Sequence, residues 1–504
     1  MARPRTTQEP RNVSVTFFPD HSAFEKNLQA GKTQLVWTWL PADLETPVSA
    51  YLKIARDEKH SFLLESVEGG AVLGRYSAIG LMPDLIWEYH AKNPNTKDPL
   101  GDLRRHVRES RIDVVAPEIP PMGSSGLFGY MGYDMVRLIE NIPDQNPDEL
   151  GIPDSVMIRP TLMVIFDNVQ SRMCLVTPVR EISGNAQAIR SDAEDRLRRV
   201  IDRLSSPIPI SYLQARSHLP TPLPVTSNVT EPAFHDSVNK AIDYIRAGDI
   251  FQVVLGQRFS LPFDLPAFHL YRTLRRLNPS PFLFYINFGG FSLVGSSPEI
   301  MVRVRGGVVT IRPIAGTRKR GETSAEDSAL AEDLLSDPKE RAEHLMLLDL
   351  GRNDVGRVAA TGTVKVTEQF TIEKYSHVMH IVSNVEGRLK DGTDSLDALF
   401  AGFPAGTVSG APKVRAMEII DELETTRRSY YAGCVGYLDG NGDVDTCIAL
   451  RTALVKDGKV YVQASGGIVA DSDPAFEFQE SCNKAKAVIQ AAQETIMASV
   501  ASND

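Results

Sequence analysis

The sequence predicts a large protein built from both helices and strands and divided into two parts. Its 504 residues exceed the length of one ordinary domain. Helix-like and strand-like segments follow one another along most of the chain. Residues 205–232 contain six prolines among polar residues, a composition typical of a linker. We therefore predict an N-terminal domain at 13–204 and a second domain at 233–504, after a loose basic tail at 1–12.

The composition is typical of a globular protein without a nucleic-acid or membrane partner. Hydrophobic residues make up 42% and charged residues 23%, and the net charge of −10 opposes binding to a phosphate backbone. No apolar run approaches the roughly 18 residues of a membrane helix, and the first residues lack the apolar core of a secretory signal. These observations predict a cytoplasmic protein.

The four cysteines show no CxxC spacing. Neither a zinc site nor a disulfide framework is therefore indicated. We expect reduced thiols that are mostly buried.

Apolar spacing and turn residues predict the individual elements. In the N-terminal part the predicted helices are 22–30, 46–56 and 184–204, and the predicted strands are 34–40, 61–66, 160–167 and 172–176. In the C-terminal part we predict helices at 233–247 and 413–423, a helix that begins at Asp337, and a C-terminal helix. The predicted strands of this part are 248–255, 282–288, 291–294, 301–304, 308–311, 363–367, 432–438, 447–455 and 460–464.

A carboxylate-rich helix start is the first candidate for chemistry. Asp337 can cap this helix and Pro338 suits its first position. Glu340 lies where a capping-box acid bonds back to the N–H of the cap. Glu343 follows three residues later, so both glutamates lie on one face of the helix.

The same arrangement occurs near the C-terminus, where Asp473 and Pro474 precede Glu477 and Glu480. Two such helices facing each other would gather four carboxylates, which repel unless they are protonated or bridged by a cation. Oxygen ligands favour a hard ion such as Mg2+. The alternative is a pair of solvated, well-capped helix starts, and the spacing alone leaves both interpretations open.

Three other features could bind or activate a small molecule. The turn from Gly406 to Lys413 does not match the phosphate loop GxxxxGK[ST], but its N–H groups suit a carboxylate if it is more than a capped turn. Arg451 lies in an apolar predicted strand, where it either binds a substrate carboxylate or points to solvent. His380 and His377 do not share a strand face, which disfavours metal ligation and leaves proton transfer by one of them open.

Four motifs occur in an order that points to a family. They are PIAGTR at 313–318, DPKE at 337–340 with EHLMLLDLGRND after it, GTVSGAPK at 406–413, and the acidic segment 471–480. Together they resemble the large subunit of anthranilate synthase, one of the chorismate-utilising enzymes, over nearly the whole chain. The resemblance implies an α+β fold in which two antiparallel β-sheets pack at a steep angle with outer helices. It also implies a regulatory N-terminal part and a catalytic C-terminal part.

The resemblance implies a Mg2+-dependent enzyme of tryptophan biosynthesis. Such an enzyme aminates chorismate with ammonia at C2, with loss of the C4 hydroxyl, and then eliminates pyruvate to give anthranilate. Glu299 would be the general acid for the departing hydroxyl, and His380 would act in the elimination. The implied catalytic set is Glu299, His380, Gln252 and Thr407. The implied substrate-binding residues are Arg451, Tyr437, Gly466, Gly467, Lys484, Ala315, Gly316 and Thr317. The implied metal-binding residues are Glu343, Glu480, Glu340 and Glu477.

Two positions favour anthranilate as the product. Relatives that add water to chorismate carry a lysine base where this chain has Gln252, and an amide cannot activate water in that way. Relatives that make 4-amino-4-deoxychorismate often carry a nucleophilic lysine where this chain has Ala315. One departure is Ser465, which stands where many relatives have glycine.

The resemblance also implies a partner subunit and a regulator. No cysteine lies in the GxCxGxQ motif of a glutamine amidotransferase, so ammonia would come from a separate amidotransferase subunit in a hetero-oligomer such as a heterotetramer. Tryptophan would inhibit the enzyme at a pocket made by Leu64, Glu65, Ser66, Asn278, Pro279 and Ser280. The alternatives are an aminodeoxychorismate synthase component and a catalytically inactive tryptophan-sensing subunit.

Overall fold

The computed structural model describes residues 15–68, 72–94, 96–123, 125–208, 223–375 and 378–500. The predicted tail at 1–12, His377 and positions 209–222 of the predicted linker lie outside the described residues. In the part that is described, none of the helices is both long enough and apolar enough to span a bilayer.

Most α-helices begin where the sequence offers a cap: the side chains of Thr46, Asn185 and Thr230, for example, each accept a backbone N–H at a helix start. The helices are α1 (His21–Gln29), α2 (Pro47–Ile54), α3 (Pro99–Glu109), α4 (Ala186–Leu204), α5 (Glu231–Ala247), α6 (Ala267–Leu277), α7 (Ser324–Ser336), α8 (Pro338–Val358), α9 (Ser395–Ala401), α10 (Lys413–Leu423) and α11 (Pro474–Val500). Short 3-10 helices occur at Tyr133–Leu138 and Gly406–Val408.

The strands form antiparallel ladders, as the resemblance implied. They are β1 (Gln34–Pro41), β2 (Ser61–Glu65), β3 (Val67–Glu68), β4 (Val72–Leu73), β5 (Tyr76–Tyr89), β6 (Gly126–Met131), β7 (Ser155–Asp167), β8 (Arg172–Val179), β9 (Thr226–Ser227), β10 (Gln252–Pro262), β11 (Phe282–Asn287), β12 (Ser292–Ser297), β13 (Ile300–Arg305), β14 (Val308–Ile311), β15 (Ile314–Lys319), β16 (Lys365–Lys374), β17 (Val378–Arg388), β18 (Gly410–Ala411), β19 (Cys434–Asp439), β20 (Val444–Ile448), β21 (Thr452–Lys456) and β22 (Lys459–Ile468).

Two runs of strands meet at the long pair β5 and β7. One run has the order β1-β8-β7-β5-β2-β11-β12-β21-β22-β10. The other has the order β7-β6-β19-β20-β13-β14-β17, with β15 and β16 also paired to β17. Because β7 pairs with β8 along one half and with β6 along the other, hydrogen bonds join the two antiparallel sheets into one network.

Strands from before and after the predicted linker pair with one another. Leu64 of β2 lies opposite Phe284 of β11, and Phe128 of β6 lies opposite Tyr437 of β19. The core is shared in the same way, since the buried ring of Tyr51 stacks on that of Phe268 at 4.5 Å. The two sequence parts therefore build common sheets and a common core.

Several elements differ from the sequence predictions. The predicted strand 447–455 is wrong, because the chain breaks between β20 and β21 at Arg451, which has a φ of +47°. The predicted strand 248–255 begins only at Gln252, since Gly248 ends α5 in the left-handed conformation at φ +86°. Helices α3, α6, α7 and α9 were not predicted.

Candidate active site

A cavity of about 610 Å³ lies between the first turns of α8 and α11 and the strands β10, β15, β17 and β22. We call it the first cavity. The structure brings to it fourteen of the predicted catalytic, substrate-binding and metal-binding residues: Glu299, His380, Gln252, Thr407, Arg451, Lys484, Ala315, Gly316, Thr317, Gly467, Glu340, Glu343, Glu477 and Glu480.

The start of α8 is capped by Asp337, as predicted, but Glu340 does not complete a capping box. Asp337 Oδ1 accepts the backbone N–H groups of Lys339 and Glu340 at 2.9 and 3.3 Å. Its own N–H already donates to the carbonyl of Asp333, because Asp337 also ends α7. The Glu340 carboxylate instead accepts from Arg318 at 3.2 Å. This contact turns Glu340 toward the first cavity.

The start of α11 carries the second carboxylate pair. Asp473 caps it by accepting the N–H of Phe476 at 2.9 Å. Glu477 is buried and accepts from Ser472 through Oε1, whereas its Oε2 has no hydrogen-bond partner among the described residues. Burial, with the neighbouring Glu480, raises the pKa of Glu477. Glu480 is more exposed and forms an ion pair with Lys484 at 2.8 Å.

The donor groups around the first cavity fit a hard cation that also takes oxygen from water or substrate. Glu343 accepts from Gln252 Nε2 at 3.1 Å, and the Oε1 atom of Gln252 is buried without a partner among the described residues. A Cβ at Gly466 would lie 2.9 Å from Glu477 Oε2, so glycine keeps the space beside that unused oxygen open. Within the described ranges, no group of three or more His, Cys, Asp or Glu side chains is arranged to hold a metal ion by itself. A cation here would need oxygen from water or substrate as well, which Mg2+ commonly takes.

Glu299 is a buried carboxyl group in the wall of the first cavity, between β12 and β13. Thr407 donates to its Oε1 at 3.0 Å, and the backbone N–H of Ile314 also bonds it. Burial nevertheless raises the pKa of Glu299 to about 8. The group is therefore protonated at neutral pH and can act as an acid.

Arg451 presents a cation to the same cavity. Its left-handed backbone lies in the break between β20 and β21, and the side chain lines the cavity. In the described structure no hydrogen bond or ion pair engages its guanidinium, and burial lowers the pKa of Arg451. A largely desolvated guanidinium without a fixed partner is suited to bind a carboxylate.

His380 is buried on β17 and has a defined tautomer. Its Nδ1 lies 2.8 Å from the carbonyl oxygen of Gly316, which can only accept, so Nδ1 carries the proton. Thr317 Oγ1 lies 3.1 Å from the same nitrogen. Burial lowers the pKa of His380, which keeps Nε2 unprotonated and able to accept a proton.

The comparison with protein families gives this geometry a context. The family of chorismate binding enzymes matches residues 60–490 of the chain. The protein belongs to the chorismate-binding enzyme family. This membership confirms the predicted chorismate-utilising enzyme and its α+β fold.

Members of this family with known names resemble the chain over most of its length. Anthranilate synthase component 1 of Cereibacter sphaeroides is 53% identical over 488 residues, which are 94% of this chain and 97% of the relative. The same component of Pseudomonas aeruginosa is 47% identical over 467 residues, which cover 89% and 93% of the two chains.

Solved structures agree with the fold. Anthranilate synthase component I from Streptococcus pneumoniae superposes with a TM-score of 0.75 at 36% identity, covering 89% of this chain and 99% of that one. The menaquinone-specific isochorismate synthase from Escherichia coli gives a TM-score of 0.70 over 94% and 99% of the two chains. At 21% identity, the second comparison shows a common fold only.

Tyr437 was predicted among the substrate-binding residues of the chorismate-binding site, but the structure places it elsewhere. It lies on β19, where its ring stacks on Phe128 at 5.5 Å, and it lines a different cavity. Tyr431 lines the first cavity instead, and its hydroxyl bonds to Ser465 Oγ. Lys484 Nζ donates to the Ser465 carbonyl at 3.0 Å. Ser465 thus joins two cavity side chains, a contact that the sequence did not suggest.

The second cavity has a volume of about 890 Å³ and contains part of the predicted tryptophan pocket. Leu64, Glu65 and Ser66 line it. The lining residues of this cavity do not include the other three predicted positions, Asn278, Pro279 and Ser280. The side-chain amide of Asn278 instead lies 3.4 Å from Ser296 Oγ. The two cavities adjoin, because Pro298 and Ile314 line both of them.

Proposed function

We propose that the protein is the chorismate-binding subunit of an anthranilate synthase, which aminates chorismate at C2 and then eliminates pyruvate. The observation that carries this proposal is that one cavity is lined by the buried carboxyl of Glu299, which Thr407 bonds, by Arg451, and by His380, whose ring the Gly316 carbonyl fixes. The named relatives at 47–53% identity support it.

The first stage uses Arg451 and Glu299. Arg451 binds a carboxylate of chorismate and fixes its position. Glu299 gives its proton to the C4 hydroxyl, which leaves as water while ammonia forms a bond at C2. The Thr407 contact at 3.0 Å holds the carboxyl group in place for this transfer.

The second stage uses His380. Its unprotonated Nε2 accepts the proton from C2 as the enolpyruvyl oxygen leaves and the ring becomes aromatic. The carbonyl of Gly316 fixes the ring through Nδ1, so the acceptor nitrogen keeps one orientation. Gly467 leaves room beside Gln252, since a Cβ there would lie 2.6 Å from Gln252 Nε2.

Glu343 and Glu480 would hold Mg2+, with Glu340 and Glu477 assisting directly or through water. When bound, the ion supplies positive charge to the ring carboxylate of chorismate. The buried, unpartnered oxygen of Glu477 supports this assignment.

Two residues favour ammonia over other nucleophiles. The side-chain amide of Gln252 donates to the carboxylate of Glu343. An amide cannot remove a proton from water, so this residue cannot activate water as a nucleophile. Ala315 lines the first cavity with a methyl group, so no side-chain amine of this residue competes with ammonia. Ammonia would come from a separate glutamine amidotransferase subunit, which fits the "component 1" in the names of the relatives.

Feedback inhibition by tryptophan is the second part of the proposal. Leu64, Glu65 and Ser66 at the wall of the second cavity would contact the inhibitor. Because Pro298 is shared by both cavities and precedes Glu299, a ligand in the second cavity can alter the position of the acid.

The test is to mix the purified protein with chorismate, ammonium and Mg2+ and to record fluorescence and product identity by chromatography. Anthranilate formation that stops with a chelator supports the proposal. Formation of 4-amino-4-deoxychorismate would indicate an aminodeoxychorismate synthase component. Tryptophan binding without turnover would indicate a sensing subunit.

A further inference from the structure

A small chamber of about 20 Å³ adjoins the first cavity at Glu299. Its wall includes Glu299 and Thr407, which also line the first cavity, and Asp354, Gly351 and Leu350. A space of this size holds one water molecule when polar partners are available. Glu299, Thr407 and Asp354 supply such partners.

Asp354 is the second acidic residue that lines this chamber. It is a buried residue of α8, and Lys413 at the start of α10 donates to its Oδ2 at 2.9 Å. Within the described residues, Lys413 is the side chain that bonds the Asp354 carboxylate, so Oδ1 is left for another partner. Neither Asp354 nor Lys413 has a part in the reaction proposed above.

We propose that Asp354 and Lys413, with one water in the chamber, return a proton to Glu299 after each turnover. The inference rests on the proposed function, in which Glu299 loses a proton to the departing hydroxyl. Asp354 receives a proton from the Lys413 ammonium and passes it to the water, which gives one of its own protons to the Glu299 carboxylate. Solvent then restores the ammonium. One proton enters and one reaches Glu299, so the charge of the path is unchanged after each cycle.

Three other charged side chains lie near this proton path, and none of them can take over proton transfer from Asp354 or Lys413. Arg451 faces Glu299 from the first cavity, and Arg357 acts on Asp354 through its charge alone. Arg312 also lines the chamber, but it is engaged by Glu368 at 3.2 Å and by Glu373. Burial raises the pKa of Asp354, which makes its brief protonation easier.

The geometry offers a variant that blocks the chamber without disturbing the packing. A Cβ at Gly351 would lie 3.5 Å from Ile311 Cγ2 and 3.8 Å from Pro313 Cδ, which are ordinary contacts with two other chamber residues. Gly351→Ala therefore places a methyl group in the chamber. Alanine also favours the helix relative to glycine, so the variant should fold at least as well. Gly356→Ala is the matched control, because a Cβ there meets nothing within 4 Å.

The experiment measures anthranilate formation by the wild type, Gly351→Ala and Gly356→Ala between pH 7 and pH 9, in H₂O and in D₂O. We expect Gly351→Ala to lower kcat at least fivefold at pH 9, with a smaller loss at pH 7 and a larger solvent isotope effect. The thermal midpoint should not fall. Gly356→Ala should behave as the wild type. Unchanged kcat and isotope effect in Gly351→Ala would overturn the inference.

Asp354→Asn gives a second measurement with almost the same shape. It should lower kcat in the same pH-dependent manner while KM for chorismate stays within twofold of the wild type. A wild-type protein that forms no anthranilate would refute the proposed function itself. An active wild type with two unimpaired chamber variants would refute only the proton path.

Discussion

The two cavities of this protein lie side by side and differ in how their charges are satisfied. In the second cavity, Glu65 accepts from Arg275 at 2.8 and 3.0 Å, and Asp445 pairs with Arg303 and Arg305 at 3.1 and 2.8 Å. In the first cavity, Arg451 has no such partner among the described residues, and the buried Oε2 of Glu477 has none either.

This difference separates a reactive site from a recognition site. Desolvated groups without partners cost free energy that a ligand of complementary charge recovers, which favours anionic substrates and a cation in the first cavity. The paired charges of the second cavity favour a ligand without net charge, such as the zwitterion of an amino acid.

Glu299→Gln should have the largest effect on kcat, because it removes the acidic proton of the carboxyl group while it keeps the shape of the side chain. Loss of a general acid lowers kcat by roughly 10²–10⁴-fold. Steady-state assays with chorismate and ammonium measure it. Thr407→Ser, which keeps the hydroxyl donor to Glu299 Oε1, is the control and should retain most activity. Comparable activity of Glu299→Gln and the wild type would show that another group is the acid.

Arg451→Lys should come next. It keeps a positive charge but loses the bidentate geometry, and a hydrogen bond to a charged group contributes about 1.5–3 kcal/mol. KM for chorismate should therefore rise roughly ten- to a hundredfold, with a smaller change in kcat. Arg415→Lys, at an exposed ion pair of α10, should leave KM unchanged. A variant that changes kcat alone would place Arg451 outside substrate binding.

Ser66→Phe tests the second cavity. The larger ring should fill space beside Leu64 and Glu65, and overpacking of this kind costs a ligand about 1–3 kcal/mol. The tryptophan concentration for half inhibition should rise at least about tenfold while kcat without tryptophan stays near the wild-type value. Ser66→Ala should remain inhibited. Undiminished inhibition of Ser66→Phe would locate the inhibitor elsewhere.

The smallest expected difference between the two cavities is in pH dependence, with kcat as the readout of the first cavity and tryptophan affinity as the readout of the second. Because burial raises the pKa of Glu299 to about 8, its acid form persists through neutral pH and is lost above that value. Activity that needs the acid form should be present below pH 8 and fall about tenfold by pH 9. Tryptophan affinity should change less over this range, which fluorescence titration can measure. A kcat profile that is flat to pH 9.5 would contradict the assigned role.

Local sequence patterns predicted the site elements that depend on neighbouring residues alone. The start of α8 follows Asp337 and the start of α10 follows Pro412, as the sequence predicted. The capping box at Glu340 failed because the N–H of Asp337 is already bonded within α7, a helix that the sequence had not indicated.

Features that depend on strand pairing could not be predicted in this way. Tyr431 and Tyr437 are six residues apart, but only the pairing of β19 with β6 and β20 places Tyr437 in the second cavity. Arg451 lies in a run of apolar residues that is typical of one strand. The break in that run arises because β20 pairs with β13 and β21 pairs with β12.

The most direct test of the account is calorimetric titration of Mg2+ into the protein in the presence of chorismate. We expect one ion per chain, with an affinity that falls at least about tenfold in both Glu343→Gln and Glu480→Gln because each removes a charged ligand. Glu332→Gln, an exposed change on α7, should bind as the wild type. Wild-type affinity in both Glu343→Gln and Glu480→Gln would contradict the claim that two helix starts hold one ion.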